Sequence, residues 1–453
     1  MKGEKNENRL SGCLNLLDDL IRKARSAGAE DADAMLVESS SLSVSWRASK
    51  LESLENAESC DIGLRVLIGK KQASVSTTDK RDKGMNELVE RAVAMAKAAP
   101  EDEFCGLADP AEIATRWPEI ELADSYEISA DDLIGQARVA EEAALTVSGV
   151  SMCESSDASA GSDVIALAAS NGFAGAFRRT GYGIGVSAIA GEGMNMEQDS
   201  EFASKIFRSD LPSATVIGKK AGERAVSHLS ARKMPTCAVP VIFDPRESGS
   251  ILAHLAGAIS GAAIARGTSF LKDFLHKRIF PASVNVIDDP FMPRGLRSRL
   301  FDGEGILPAR RKIIDNGVLT TWFLDLRSAR QLGMKSTGHA RRGPGSMPSP
   351  APTNLYMEPG AQTPEELIAD IKQGFYVTEL MGSGVNGVTG DYSRAARGFW
   401  IENGKIAFPV NEMTIAGNLK DMFNNISAAN DLEFRYGIDA PTLRVEGMTV
   451  AGV

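Results

Sequence analysis

The chain has 453 residues, 43% of them hydrophobic and 24% charged, with a formal net charge of −10. That length exceeds one compact core, and the acidic balance argues against a general nucleic-acid binder, which needs a basic surface. Five scattered cysteines without a C-x-x-C pair, a charged N-terminus without an apolar signal core, and no run long enough to span a bilayer point to a cytoplasmic protein that does not engage membranes.

Leu10, Leu14, Leu17, Leu20 and Ile21 recur at helical spacing, and Gly28 ends that helix. Residues 34–39 and 42–46 alternate as strands, and 61–68 with 73–78 read as a hairpin turning at Gly69. Helices are expected over 85–98, 131–146 and 211–229, with an irregular crossing at 108–125. Between them 164–170 and 173–177 flank an Asn171-Gly172 turn, and the glycines of 180–187 fall on one strand face where something packs close. These elements predict an N-terminal α/β domain over 1–235, bounded by the Lys- and Pro-bearing stretch 231–235.

The second unit, 236–453, begins with a β-type run, 239–243, and then Asp244-Pro245, an N-cap and a first-turn proline. From Ile251 to Ala265 the one strongly polar side chain is His254, so the spacing predicts a helix buried all round. Strands follow at 284–287, 312–319, 398–407 and 442–450, with hairpin turns at Asp315-Asn316-Gly317 and Glu402-Asn403-Gly404. Residues 335–352 are rich in Gly, Ser and Pro and carry the least structure. The class expected is α+β: an N-terminal α/β domain, then a β-rich domain wrapped around the buried helix.

The segment Asp244–Phe270, ending in Arg266-Gly267-Thr268-Ser269, resembles the metal helix of the TldD/PmbA (TldE) family, also known as peptidase U62 or modulator of DNA gyrase. Ser349–Asn354, Ile401–Gly404 and 443–450 extend the likeness. Active members carry His-Glu-x-x-x-His on that helix and a further Cys near the C-terminus. Counting back from Gly267, the motif positions fall on Leu252, Ala253 and Gly257, and the last Cys is Cys237. The resemblance therefore implies the PmbA/TldE-type subunit, with no catalytic residue, no metal and no cofactor of its own. Zinc is expected only on a TldD-type partner. The implied function is that of a non-catalytic half of a cytosolic TldD/TldE metalloprotease acting on unfolded peptides, as a heterodimer. The alternative is a self-sufficient homodimeric peptide- or protein-binding module of the gyrase-modulator type. His254, Arg266, Ser269, Asn354 and Gly384 are the residues expected to line a peptide cleft.

Other patterns have ordinary readings beside the sharper ones. Asp273 and His276 could share a helix face, but an isolated pair of that spacing reads as a surface contact. Ser269-x-x-Lys272 with Lys335-Ser-Thr-Gly338 loosely matches a serine acyl-transfer motif without its third element. Gly382-x-Gly-x-x-Gly387 lacks the helix that a dinucleotide fold would place after it. Arginines 294, 297, 299, 310, 311, 341 and 342 make a local basic stretch, either a solvated face or a contact for an acidic partner.

Overall fold

The computed structural model describes residues 2–193 and 195–452. One six-stranded sheet runs through the N-terminal half. Its strands are β1 (Asp31–Arg47), β2 (Lys50–Ile68), β3 (Lys71–Thr77), β4 (Val150–Ala169), β5 (Ala174–Ala190) and β6 (Glu197–Lys205), in the order β3-β2-β1-β4-β5-β6. Every pairing in it is antiparallel, which corrects the expected α/β layout to an antiparallel α+β one. Tight hairpins such as the one at Gly69 link neighbouring strands, whereas parallel strands would need long crossovers.

The strands outrun the alternation seen in the sequence. In β2, residues 50–59 are exposed on both faces, so no burial pattern marks them. β1 and β2 meet at Ala48-Ser49, a two-residue turn with φ of +50° and +60°. Side chains rarely adopt that left-handed region. Glu141 compensates for it: its buried carboxylate accepts from Trp46 Nε1 at 2.9 Å and from Ser49 N at 3.0 Å.

Helices α1 (Lys2–Ser26) and α2 (Asp82–Ala98) cover one part of the sheet, setting Leu17, Leu20, Ile21 and Leu88 on Leu36, Ile62 and Leu64. Helices α3 (Ala130–Leu145) and α4 (Ala214–Ser227) cover β4–β6. A reciprocal cap between Ser129 and Asp132 starts α3, and Gly218 lets α4 lie directly on the Ala140 carbonyl.

The C-terminal half is built on a closed barrel. Lys405–Asn418, Asp391–Glu402, Gln373–Met381, β7 (Cys237–Phe243) and Leu443–Ala451 pair in that order, and the last pairs back to the first. Asn403 and Gly404, at φ of +52° and +75°, make the predicted hairpin turn. A five-stranded sheet, 318–319, 311–315, 286–289, 354–357 and 438–439, stands beside the barrel. Helix α5 (Pro245–Ala258) lies between them, with Asp244 capping it through the Arg246 N–H at 2.9 Å. Its Ile251, Leu252 and Leu255 join one core with Phe243, Phe375, Val286 and Leu355, and Gly249 presses on the Ile438 carbonyl.

Two features depart from the expected buried helix. It stops at Ala258, and a separate turn, α6 (Gly261–Ala265), follows. The break is tertiary: Phe323 receives the Gly261 N–H at 2.7 Å and returns its own N–H to Ile259 at 3.1 Å. The helix is also not encircled, because Ala253 and Gly257 are exposed.

The two halves are tied by buried charge. Asp33 on β1 accepts from Arg65 Nε at 2.8 Å and pairs with Arg342, 309 residues later. Burial pushes the Asp33 carboxyl up, and Arg342 and Arg65 together outweigh it, holding it below its usual range. The segment 335–352, expected to be the least structured, is a strap across this junction. Residues 340–341 pair with 349–350, and Pro344 seats on Gly63. Beside it Asp302 accepts from the amides of Glu304 and Ile306, both at 2.9 Å, and from Ala340 at 3.2 Å. Among the described residues, buried Glu304 takes only the Leu326 N–H, at 2.8 Å. Among the described residues no helix is long and apolar enough to cross a membrane.

Candidate functional site

One stripe of α5 carries polar side chains, namely Glu247, Ser250 and His254, and ends at Gly257; offsets of three, seven and ten keep these on one face. Strand 391–402 supplies Tyr392 and Arg394, two apart and therefore on one strand face. The His254 and Tyr392 rings meet edge to face with centroids 5.8 Å apart. Among the described residues four buried polar atoms here lack a hydrogen bond of good geometry, Ser250 Oγ, His254 Nε2, Tyr392 Oη and Arg394 Nε, with the Arg394 guanidinium lying beside the Tyr392 hydroxyl. Unpartnered groups of that kind are costly unless something binds them. Arg394 is anchored by a terminal N–H to the Leu380 carbonyl at 3.2 Å.

The electrostatics suit a neutral, hydrogen-bonding occupant. Burial, helped by Arg394, holds His254 down at about 4, so the imidazole is neutral at physiological pH. Burial likewise pushes Glu247 up to about 7, against the pull of Arg394. A cationic guanidinium between these two groups opposes a second cation. The motif positions offer no donor either: Leu252 is buried in the core, while Ala253 and Gly257 open onto the cleft, with nothing within 4 Å of a Cβ built on Gly257. The residues present do not fit a zinc ion. Among the described residues no group of three His, Cys, Asp or Glu side chains is arranged to hold a metal.

The other expected cleft residues divide. Gly384 belongs to an exposed loop over the end of α6: its carbonyl accepts from Ser393 N at 2.7 Å, and Phe270 N reaches Gly387 at 3.0 Å. A side chain at Gly384 would strike the Ser393 carbonyl, and a strand rather than a helix follows, so the glycine pattern serves a tight turn. Arg266 is exposed just beyond α6. Ser269 and Asn354 are both buried, with hydrogen bonds made inside the fold. Ser269 Oγ donates to Ala258 O at 2.5 Å and accepts from Leu271 N at 3.0 Å. Lys272 points to solvent, which removes the serine–lysine reading. Asn354 holds Arg297 N at 2.8 Å, Asp289 O at 2.7 Å and Ser298 Oγ at 2.8 Å.

The remaining histidines have separate posts. His339 bridges Asp288 and Thr337, His228 lies between Asp199 and Thr378, and His276 is exposed. Toward the start of α5 a cavity of about 750 Å³ opens between β6 and the barrel. Its charges pair among themselves: Asp199 with Arg246, and Glu201 with Arg224 and Arg435. The sequence reading missed Tyr392 and Arg394, whose proximity to α5 is set by barrel closure. The Glu247–Ser250–His254 stripe was open to a helical projection.

Three family models match the chain: PmbA/TldA metallopeptidase domain 1 over 32–96, the central domain over 123–229 and the C-terminal domain over 236–452. The first two divide the single N-terminal sheet. The metalloprotease PmbA of Escherichia coli O157:H7 is 35% identical over 429 residues, covering 94% of this chain and 93% of its own. A Bacteroides thetaiotaomicron crystal structure described as a candidate modulator of DNA gyrase superposes with a TM-score of 0.89 at 29% identity, covering 97% of this chain and 98% of its own. TldE of Thermococcus kodakarensis shares the fold, with a TM-score of 0.86 at 20% identity over 96% of this chain and 100% of its own.

Proposed function

Because the chain belongs to the PmbA/TldD metallopeptidase family, we propose that it is a PmbA/TldE-type subunit without catalysis of its own, the cytoplasmic partner of a zinc-bearing TldD-type protease that acts on unfolded peptides. The observation that carries this reading is the donor-free set Leu252, Ala253 and Gly257 on helix α5. In its place stands a cleft whose free polar atoms on Ser250, His254 and Tyr392 match the N–H and C=O groups of an extended peptide. The subunit would hold peptide while the partner cuts it.

The test combines elemental analysis, native mass and peptide hydrolysis, on the chain alone and with a partner bearing His-Glu-x-x-x-His. The reading expects no stoichiometric zinc and no hydrolysis from the chain alone, and chelator-sensitive hydrolysis once the two are mixed. Zinc and chelator-sensitive cleavage in the isolated chain would falsify it. A second reading, a self-sufficient homodimeric binding module, draws on the likeness to the Bacteroides protein. A homodimer that refuses the zinc-bearing partner at every ratio selects it.

A further inference from the structure

A second cavity, of about 380 Å³, lies where β4 and β5 face the segment 296–303 of the C-terminal half. Arg179, Arg297, Arg299 and Arg341 line it, and none of the four forms an ion pair among the described residues. Arg179 stands opposite Asp163 in the β4–β5 register, but Asp163 takes the Ser39 hydroxyl at 2.7 Å instead. Arg299 reaches only neutral carbonyls, Ala340 at 2.9 Å and Pro352 at 3.1 Å, and Arg297 reaches the Tyr436 carbonyl at 3.4 Å. Arg342, next in the chain to Arg341, also lines the cavity but is paired with Asp33.

The nearby carboxylates are committed elsewhere. Asp302 is wrapped by three backbone amides, Asp439 by those of 435–437, and Asp288 by Thr353 and His339. Asp302 lines the same cavity, and Asp163, Asp288, Asp302 and Asp439 attract these arginines from nearby, but among the described residues none of them forms an ion pair with any of the four guanidinium groups, and burial outweighs their pull on Arg179, Arg297 and Arg299. Burial lowers the pKa values of Arg179, Arg297 and Arg299, and for each of them Arg341 adds to the effect. Arginine stays charged under such pressure, so the cluster keeps an unfavourable positive potential that an anion would relieve. The same elements also line the cavity with apolar side chains, Leu167, Phe177, Leu296 and Phe301. Asn354, spent on the Arg297 backbone, fixes the segment that presents Arg297.

We propose that this cavity binds an oxyanion carried on an apolar body, namely the terminal carboxylate of a peptide, with Arg179, Arg297 and Arg341 as its donors and the Phe177–Phe301 wall taking the adjacent side chain. Planar guanidinium forks suit a two-oxygen acceptor. The choice of a peptide rests on the proposed peptide-handling role; the choice of an oxyanion does not.

Isothermal titration of the full chain at low salt tests it with three probes: N-acetyl-Ala-Ala-Phe as the free acid, the same peptide as its C-terminal amide, and inorganic phosphate. The free acid is expected to bind at least ten-fold tighter than the amide, and to weaken as salt rises. Arg179→Gln and Arg341→Gln are each expected to weaken it at least ten-fold. Arg178→Gln, on the opposite strand face and bonded to Ser162 at 2.9 Å, is expected to change nothing. Arg341 is exposed and Arg179 half-buried, so neither variant opens the core, and unchanged melting checks this. Equal binding of acid and amide, indifference to both variants, or no binding of any probe overturns the proposal. Phosphate binding lost in both variants, without a response to either peptide, overturns the peptide as the source. Partner-dependent hydrolysis is measured separately, so failure here leaves the subunit assignment standing.

Discussion

Glu304 gives the sharpest quantitative test of the junction. Burial, followed by the neighbouring Asp302 charge, pushes its carboxyl from 4.5 up to about 8. Asp302 has three amide donors and Glu304 one, so the negative charge belongs on Asp302 and the proton on Glu304. Between those two values the folded chain holds a proton that the unfolded chain has released. Its stabilising contribution is therefore complete below pH 4.5 and is lost as pH rises to about 8. The slope is about 1.4 kcal/mol per pH unit, and the total at most about 5 kcal/mol. Glu304→Gln copies the protonated side chain, keeps an acceptor for Leu326 N, and carries no titration. Its advantage over the wild type should grow with pH and level off above pH 8. For a folding unit of this size that is about 3–5 °C in melting temperature per pH unit. Differential scanning calorimetry from pH 5 to 9 reads it directly. Two melting curves that stay parallel across that range would refute the assignment of the proton. Asp302→Asn should instead destabilise at every pH, by about 1–3 kcal/mol, because an amide cannot accept from three N–H groups in that geometry.

Three further outcomes are expected. Asp33→Ala strands two buried guanidinium groups and should cost about 3–5 kcal/mol, splitting the calorimetric transition into separate N- and C-terminal events; a single unshifted transition would count against the ion triad as the tie between the halves. Gly257→Ala fills open space on a helix and should stabilise the isolated chain by about 0.5–1 kcal/mol, and a loss of stability would mean that the face is covered. Since His254 is neutral in the fold down to about 4, its contribution is full above pH 6.5 and lost as pH falls toward 4. His254→Gln should flatten that acid limb by about 1–3 kcal/mol, and an unchanged limb would place the titration elsewhere.

Local chemistry was legible where one residue dictates one conformation. Asp244-Pro245 announced the start of α5, and Asn316-Gly317 and Asn403-Gly404 announced their turns. What the sequence hid was decided by distant partners. Nothing near Ile259 foretells a break that Phe323 imposes across the fold. Ala253 and Gly257 read as packing residues because small apolar side chains look alike whether they meet a neighbour or open space. Ser269 and Asn354 are polar residues in a family-like segment, and only their bonds reveal that their capacity is used internally. Arg179 had no local signal, since β5 meets the 296–303 segment only after the two halves dock. The Ala48-Ser49 turn was invisible because its strain is relieved by Glu141 from another helix.

The Asp33–Arg342 tie also sets a schedule for synthesis. The two residues are 309 positions apart, so at about 5–20 residues per second an emerging polypeptide waits roughly 15–60 seconds for the second cation. Once β4 has emerged, the N-terminal sheet can complete its hydrophobic layer under α1 and α2, but its seat at Gly63, where Pro344 will later land, stays bare. A ribosome-released product ending near residue 230 would leave Asp33 with Arg65 alone, in a socket open to water. Closure of the Asp33 socket is thus withheld until three-quarters of the message has been read.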